Sequence, residues 1–276
     1  MSRSPRGPAT IMGTAPSLAP RTVTETEYGA SFYEREGHSS RESAEVLVPI
    51  LVDLLAPKSV VDIGCGAGSF PVRFLREGIV DVVGVEGEWV RTAPVSLPRE
   101  RYRFADLAEG FDLGRRFDLV VCLEVAEHID AARADTVVAT LARHGDVIAF
   151  SAAVPSQGGT HHVNLQWPEY WARRFRARGF VPFDPVRPKV LEDPRVAVYY
   201  AQNLIVYARP ATPIYERLRQ RAPPVRGRVP FRIREGAHPM AGRILNRMPL
   251  RWREWIYASY RERFKRWMPG RYRDMA

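Results

Sequence analysis

The stretch from Ser59 to Arg76 constrains the fold more than any other part of this sequence. A short β-branched apolar run, Ser59–Ile63, stops at Gly64, and apolar residues at helical spacing resume at Phe70. A strand, a glycine-rich turn and a helix in this order open a βαβ unit. The turn lets the backbone approach a ligand closely, and the helix that follows offers unpaired N–H groups. This segment therefore predicts a ligand-binding loop.

Further apolar runs alternate with helical or loop stretches along the chain. They predict strands at 81–85, 102–104, 117–123, 146–150 and 199–207, and helices beginning at Ser39 and covering 131–143 and 168–178. Alternation of this kind predicts an α/β fold with a Rossmann-like, doubly wound and mostly parallel sheet.

Composition favours one soluble domain of catalytic size with an appended element, since the chain has 276 residues and 26% of them are charged. Cys65 and Cys122 are the only cysteines and form no CxxC pair, which favours a reducing compartment. No apolar run is as long as the ~18 residues of a membrane span. The expected location is the cytoplasm.

The net charge of +10 lies in the last part of the chain, because residues 213–276 carry 17 Lys or Arg against 5 Asp or Glu. From 244 to 268, aromatic and apolar residues including Trp252 and Ile256 recur at helical spacing, with Arg on the other faces. The pattern predicts a basic amphipathic helix. It is compatible with packing on its own domain or a homodimer mate, with an anionic membrane surface, or with nucleic acid.

The glycine turn contains Gly64, Gly66 and Gly68, and Asp62 precedes the first glycine by two residues. Ser69 stands where a dehydrogenase would place its third glycine, which disfavours a dinucleotide site. The DxGxGxG pattern resembles motif I of class I S-adenosylmethionine-dependent methyltransferases. The resemblance implies S-adenosylmethionine as cofactor, with an acid near the turn that meets its ammonium group.

Acidic residues follow at two later strand ends. Glu86 lies 18 residues beyond Gly68, where a carboxylate can accept from both ribose hydroxyls, although a solvated loop acid is the alternative. The same resemblance implies that Asp106 faces the adenine amino group while the backbone N–H of Leu107 meets the ring.

The predicted strand 117–123 delivers Glu124, Glu127 and His128 at its carboxyl end, where open α/β sheets bind ligands. This stretch resembles the ubiquinone-biosynthesis type of O-methyltransferase, which implies that Glu124 faces the methionine part of the cofactor. Glu127 and His128 could instead chelate a divalent metal, or His128 could cap a helix. No further clean set of carboxylates accompanies them, so no metal is expected.

Polar residues are dense on the glycine-containing loop from 151 to 167. Loops on a rigid scaffold often carry chemistry, and a histidine suits proton removal near neutral pH. His161, His162 and His128 are therefore the candidate catalytic bases. Adjacent histidines usually point apart, so at most one of the pair is expected to reach an acceptor. The alternative is that both make structural hydrogen bonds.

A broader resemblance covers 26–210, on the motifs FSAA, GGxHHVN and QWPxYW, to bacterial methyltransferase-domain proteins of small-molecule and glycan biosynthesis. Leu165 and Tyr199 depart from that pattern. The resemblance implies a late antiparallel strand at 199–207. The expected domains are a disordered segment 1–25, a methyltransferase domain 26–210 with N-terminal helices 26–57 and a core 58–210, and a basic helical extension 211–276.

The expected function is methyl transfer to a hydroxyl or amine of a small molecule or sugar. Nucleic acid is not expected as a partner, because neither an NPPY-type tetrad nor a Pro-Cys pair is present. The C-terminal helix is expected to contact its own domain, a second copy or a membrane surface. The alternative function is a non-catalytic nucleoside-binding protein that uses this helix for tethering.

Overall fold

The computed structural model describes residues 30–91, 93–155, 157–234, 247–252, 254–256 and 259. The helices are α1 Ala30–Leu55, α2 Ser69–Arg76, α3 Ala134–His144, α4 Pro168–Ala177, α5 Arg187–Val190, α6 Val198–Asn203 and α7 Pro213–Arg221. The strands are β1 Ser59–Ile63, β2 Asp81–Glu86, β3 Tyr102–Phe104, β4 Leu119–Leu123, β5 Val147–Ser151, β6 Val181–Phe183 and β7 Ile205–Ala208. The segment predicted to be disordered, 1–25, lies outside the described residues.

The strands form one seven-stranded sheet in the order β3-β2-β1-β4-β5-β7-β6. The first five strands of this order pair in parallel, and β7 runs antiparallel to both β5 and β6. The predicted mostly parallel sheet with a late antiparallel strand is therefore confirmed. The short strand β6 had not been predicted.

The central strands are apolar on both sides because helices cover both faces of the sheet. Val60 packs with α1 and α2 on one face, while its neighbour Val61 packs with α3 and α4 on the other. All five residues of β4 are buried. Strands of a doubly covered parallel sheet read as continuous apolar runs, and polar side chains gather where the strands end. The site is therefore expected at the carboxyl ends of β1, β2, β4 and β5.

Two predicted element boundaries are wrong. Helix α1 already includes Ala30, and Ser39 lies inside it, with its carbonyl accepting from the Ser43 hydroxyl at 2.7 Å. The predicted strand 199–207 divides into helix α6 and the four-residue strand β7. The helical part places the ring of Tyr200 edge-on to Phe70, with centroids 5.4 Å apart. An apolar run without a clear period can satisfy either structure, and here tertiary packing selects the helix.

The chain after β7 returns to the main body. Arg217 of α7 donates to the carbonyl of Leu54 at the end of α1. Residues 222–234, here called the C-terminal strap, then cross the molecule and bury Val229 and Phe231 completely. The fully buried Arg187 guanidinium joins the strap, as its Nη1 donates to the carbonyls of Pro230 and Gln202 at 2.9 Å each.

Most of the helix predicted at 244–268 lies outside the described residues. Residues 250–252 and 254–256 are helical, and Glu254 is buried beside Arg228 with an N–O distance of 3.2 Å. Trp252, on the apolar stripe predicted for this helix, is 51% exposed, whereas Glu254 is buried. Among the described helices, none is long and apolar enough to span a membrane.

Candidate active site

The glycine turn between β1 and α2 adopts a backbone that requires glycine. Gly64, Gly66 and Gly68 have φ angles of 81°, 52° and 88°. A Cβ added to Gly64 would lie 2.3 Å from Val125 Cγ2, and one added to Gly68 would lie 2.5 Å from Leu97 Cβ. Side chains are excluded by both conformation and space, so the backbone itself forms the surface of the turn.

Glu86, at the end of β2, holds the glycine turn in place. Its two carboxylate oxygens accept from the backbone N–H of Gly66 at 2.7 Å and of Gly87 at 3.0 Å. Tyr102 donates its hydroxyl to the carbonyl of Gly66 at 3.0 Å. A carboxylate has about four acceptor positions, so Glu86 keeps capacity for the two ribose hydroxyls predicted from sequence. The role of Tyr102 had not been predicted.

Asp62 is a buried acid within β1 and is only 4% exposed. Burial raises the pKa of Asp62 well above its ordinary value, and the nearby charge of Glu86 raises it further. A cation placed beside Asp62 would offset both effects. The site therefore fits the ammonium group of an amino-acid moiety.

Asp106 and Leu107 follow β3 at the same edge of the sheet. Asp106 is exposed, and its carboxylate accepts from the backbone N–H of Ala108 at 2.8 Å. Leu107 is buried. The structure thus places both residues at a strand end beyond Glu86, and their contacts with an adenine ring stay predictions.

Glu124 directly follows β4 and is fixed by residues from two other segments. Its carboxylate accepts from Gln157 Nε2 at 2.8 Å and from Asn203 Nδ2 at 3.3 Å. Its φ of 56° is unusual for a side-chain-bearing residue, and its backbone N–H donates to the Ser151 carbonyl at 3.0 Å. Burial raises the pKa of Glu124. Asn203 had not been singled out from sequence, since it lies 79 positions away.

Four ionisable side chains meet beyond β4 and are here called the strand-end cluster: Glu124, Glu127, His128 and His162. Glu127 is completely buried, and the His128 and His162 rings lie edge-to-face with centroids 4.9 Å apart. Burial, together with the charge of His162, lowers the pKa of His128 to about 4. His161 is exposed and lies outside the cluster.

The loop that carries His162 is held by backbone contacts. The N–H groups of Val163 and Asn164 donate to the Glu127 carbonyl at 2.9 and 3.0 Å. His161 has a φ of 57°, and this turn separates the two neighbouring histidines. His161 is exposed and His162 is half-buried, and the prediction that at most one of them reaches an acceptor stays a prediction.

A sequence model of the family described as "Methyltransferase domain" matches residues 36–183, more than half of the chain. The chain belongs to this methyltransferase family. The family and the fold agree with the class I S-adenosylmethionine-dependent methyltransferases that the sequence resembles. The buried acid beside a glycine turn fits the charged amino-acid part of S-adenosylmethionine.

Curated relatives include ubiquinone biosynthesis O-methyltransferases. That of Rhodopseudomonas palustris (strain BisA53) is 34% identical over 86 residues, which cover 29% of this chain and 34% of that protein. That of Stutzerimonas stutzeri (strain A1501) is 34% identical over 109 residues, which cover 35% of this chain and 45% of that protein. The matches therefore span less than half the length of either relative.

Among solved structures, a sugar N-methyltransferase from Streptoalloteichus sp ATCC 53650 is similar with a TM-score of 0.52 and 20% identity. The alignment covers 74% of this chain and 99% of that one. At this identity the likeness shows a shared fold.

Proposed function

We propose that this chain transfers a methyl group from S-adenosylmethionine to a hydroxyl or amine of a small molecule or sugar. The packing of Gly64 against Val125 carries the proposal, because an added Cβ would lie 2.3 Å from the Val125 side chain. Val125 stands between Glu124 and Glu127. The cofactor turn therefore adjoins the strand-end cluster, and donor and acceptor chemistry meet at one edge of the sheet.

On the cofactor side, each acid has one proposed contact. Asp62 pairs with the ammonium group, and Glu86 accepts from the ribose hydroxyls. Asp106 and the backbone N–H of Leu107 face the adenine ring. Glu124 borders the methionine part, where Gln157 and Asn203 hold its carboxylate.

S-adenosylmethionine supplies an electrophilic methyl group. In the transfer, the sulfur–methyl bond breaks while a bond forms from an acceptor oxygen or nitrogen, and the acceptor loses a proton. Groups of the strand-end cluster are placed to position the acceptor and receive that proton. His128 and His162 are the proposed histidines because their rings are in contact beyond β4, whereas His161 is exposed.

The name of the curated relatives, ubiquinone biosynthesis O-methyltransferase, supports an oxygen acceptor for this chain. We also propose a cytoplasmic location, which the free thiols of Cys65 and Cys122 support. Contact of the C-terminal helix with a membrane or a second copy stays a prediction.

A transfer assay tests the function. The full-length chain is incubated with methyl-labelled S-adenosylmethionine and a panel of phenols, neutral sugars and amino sugars. Mass spectrometry should show S-adenosylhomocysteine together with one acceptor that has gained a single labelled methyl group. Glu86→Ala, which loses a proposed ribose contact, is the control that should lower both products together. Binding of S-adenosylhomocysteine without transfer to any panel member would favour the non-catalytic alternative.

A further inference from the structure

Three metal-ligand side chains converge beside the cofactor turn. Glu127 and His128 come from the short helical turn after β4, and His162 comes from the loop after β5. One donor atom from each of the three lies within 4.8 Å of the others. A single ion could therefore contact all three side chains at once.

Backbone hydrogen bonds hold these three side chains close together. The Glu127 carbonyl accepts from the N–H groups of Val163 and Asn164, which brings the neighbouring His162 next to Glu127. Gly159 provides the room, because a Cβ added there would lie 2.1 Å from the His162 ring. A ligand set held by several independent contacts is preorganised for binding.

The carboxylate of Glu127 independently points to a cation. Its side chain is completely buried, and neither oxygen accepts a hydrogen bond of normal geometry from any described residue. A buried carboxylate in such surroundings is expected to pair with a positive charge.

The contacts that do reach the cluster come from neutral groups. Glu124 accepts from the side-chain amides of Gln157 and Asn203, and neither amide brings a compensating charge. The cluster thus combines the buried Glu127 carboxylate and the half-buried Glu124 carboxylate with two imidazole rings.

We propose that Glu127, His128 and His162 bind one divalent first-row transition-metal ion. Two imidazoles and one carboxylate suit zinc, manganese, iron or cobalt, whereas magnesium prefers an all-oxygen shell. The three side chains leave coordination positions for an oxygen of the acceptor. The role of the ion in turnover rests on the proposed function, and its binding does not.

Binding is tested on the full-length chain after chelator treatment and gel filtration. Cobalt(II) is titrated while visible absorption is recorded, and zinc(II) is titrated by calorimetry. The wild-type chain should bind one ion, and His128→Asn, His162→Asn and Glu127→Gln should each weaken binding at least about tenfold. The matched control is His161→Asn, which alters the neighbouring exposed histidine and should bind as the wild type does.

Each outcome is interpretable. No saturable binding by the wild type, or equal affinity in all four variants, would overturn the proposal. If Glu127→Gln does not fold, the loop variant His162→Asn still decides the question, with circular dichroism as the fold check. S-adenosylhomocysteine affinity is measured on the same proteins. Loss of metal binding with that affinity retained supports the site, and a wild-type chain that binds metal but transfers no methyl group refutes only the proposed function.

Discussion

The cofactor half of the site, residues 62–68 with Glu86, and the acceptor half, the strand-end cluster with its loop, are built by different means. In the cofactor half, a carboxylate holds backbone N–H groups no more than 20 positions away. In the acceptor half, Glu124 is fixed by side chains 33 and 79 positions away. Backbone construction tolerates few changes at its glycines. In the acceptor half, substitutions of the side chains that hold Glu124 can change which acceptor binds while the cofactor turn stays intact.

Among these substitutions, Gly64→Val should weaken cofactor binding the most. Gly64 has a φ of 81°, and a Cβ added there would lie 2.3 Å from Val125 Cγ2. A valine should therefore distort the turn and weaken S-adenosylhomocysteine binding, measured by calorimetry, at least about 100-fold. Gly78→Val is the matched control, because Gly78 has a φ of 88° and nothing within 4 Å of its added Cβ. The control should melt lower but keep its cofactor affinity. Wild-type affinity in Gly64→Val would show that the turn is not tightly packed.

Asp62→Asn should change cofactor binding and stability in opposite directions, weakening the first and raising the second. Losing a charged partner for the ammonium group predicts about tenfold weaker S-adenosylhomocysteine binding at neutral pH. Burial raises the pKa of Asp62, so the folded chain without cofactor holds this proton at pH values where the unfolded chain has lost it. Asp62 therefore lowers stability increasingly as pH rises above its ordinary pKa of 3.8.

Asn has no such proton to lose, so the Asp62→Asn variant without cofactor should melt above the wild type, with a gap that widens toward neutral pH. Thermal unfolding across this range is the measurement. Asp106→Asn, which removes an exposed carboxylate, serves as the control and should leave the melting temperature near that of the wild type. A variant that melts below the wild type at every pH would contradict the assignment.

Asn203→Ala should give the smallest effect and test the acceptor half. It removes hydrogen bonds to Glu124 and to Gln157 Oε1, the latter at 2.9 Å, and should lower the free energy of unfolding by about 1 kcal/mol. The acceptor KM should rise while the affinity for S-adenosylhomocysteine stays unchanged. Combined with Gln157→Ala, the effects on KM should be non-additive. Additive effects would mean that the two amides do not act through Glu124.

Local sequence predicts the cofactor half well because its chemistry is contiguous. The β1–turn–α2 unit, the position of Glu86 at the end of β2 and the sheet class all follow from periodicity and glycine placement. The direct contact of Glu86 with Gly66 was not predicted, since a carboxylate at that place also suits a ligand.

The acceptor half was predicted only as a set of residue types. Which of His161 and His162 faces the site depends on a turn at His161, and a sequence pattern does not encode that turn. The contact of Asn203 with Glu124 depends on the run 199–207 dividing into α6 and β7, where a continuous strand had been predicted. Long-range side-chain contacts of this kind arise from tertiary packing.

Arg187 limits how the gene for this protein can be shortened or recombined. Its guanidinium is completely buried, and Asp184 together with the Gln202 and Pro230 carbonyls satisfies it. A chain that stops near residue 210 would lose the Pro230 carbonyl, which accepts a hydrogen bond from the buried Arg187 guanidinium. The strap is thus an inseparable part of the catalytic unit, and a fusion partner or expression boundary belongs after it.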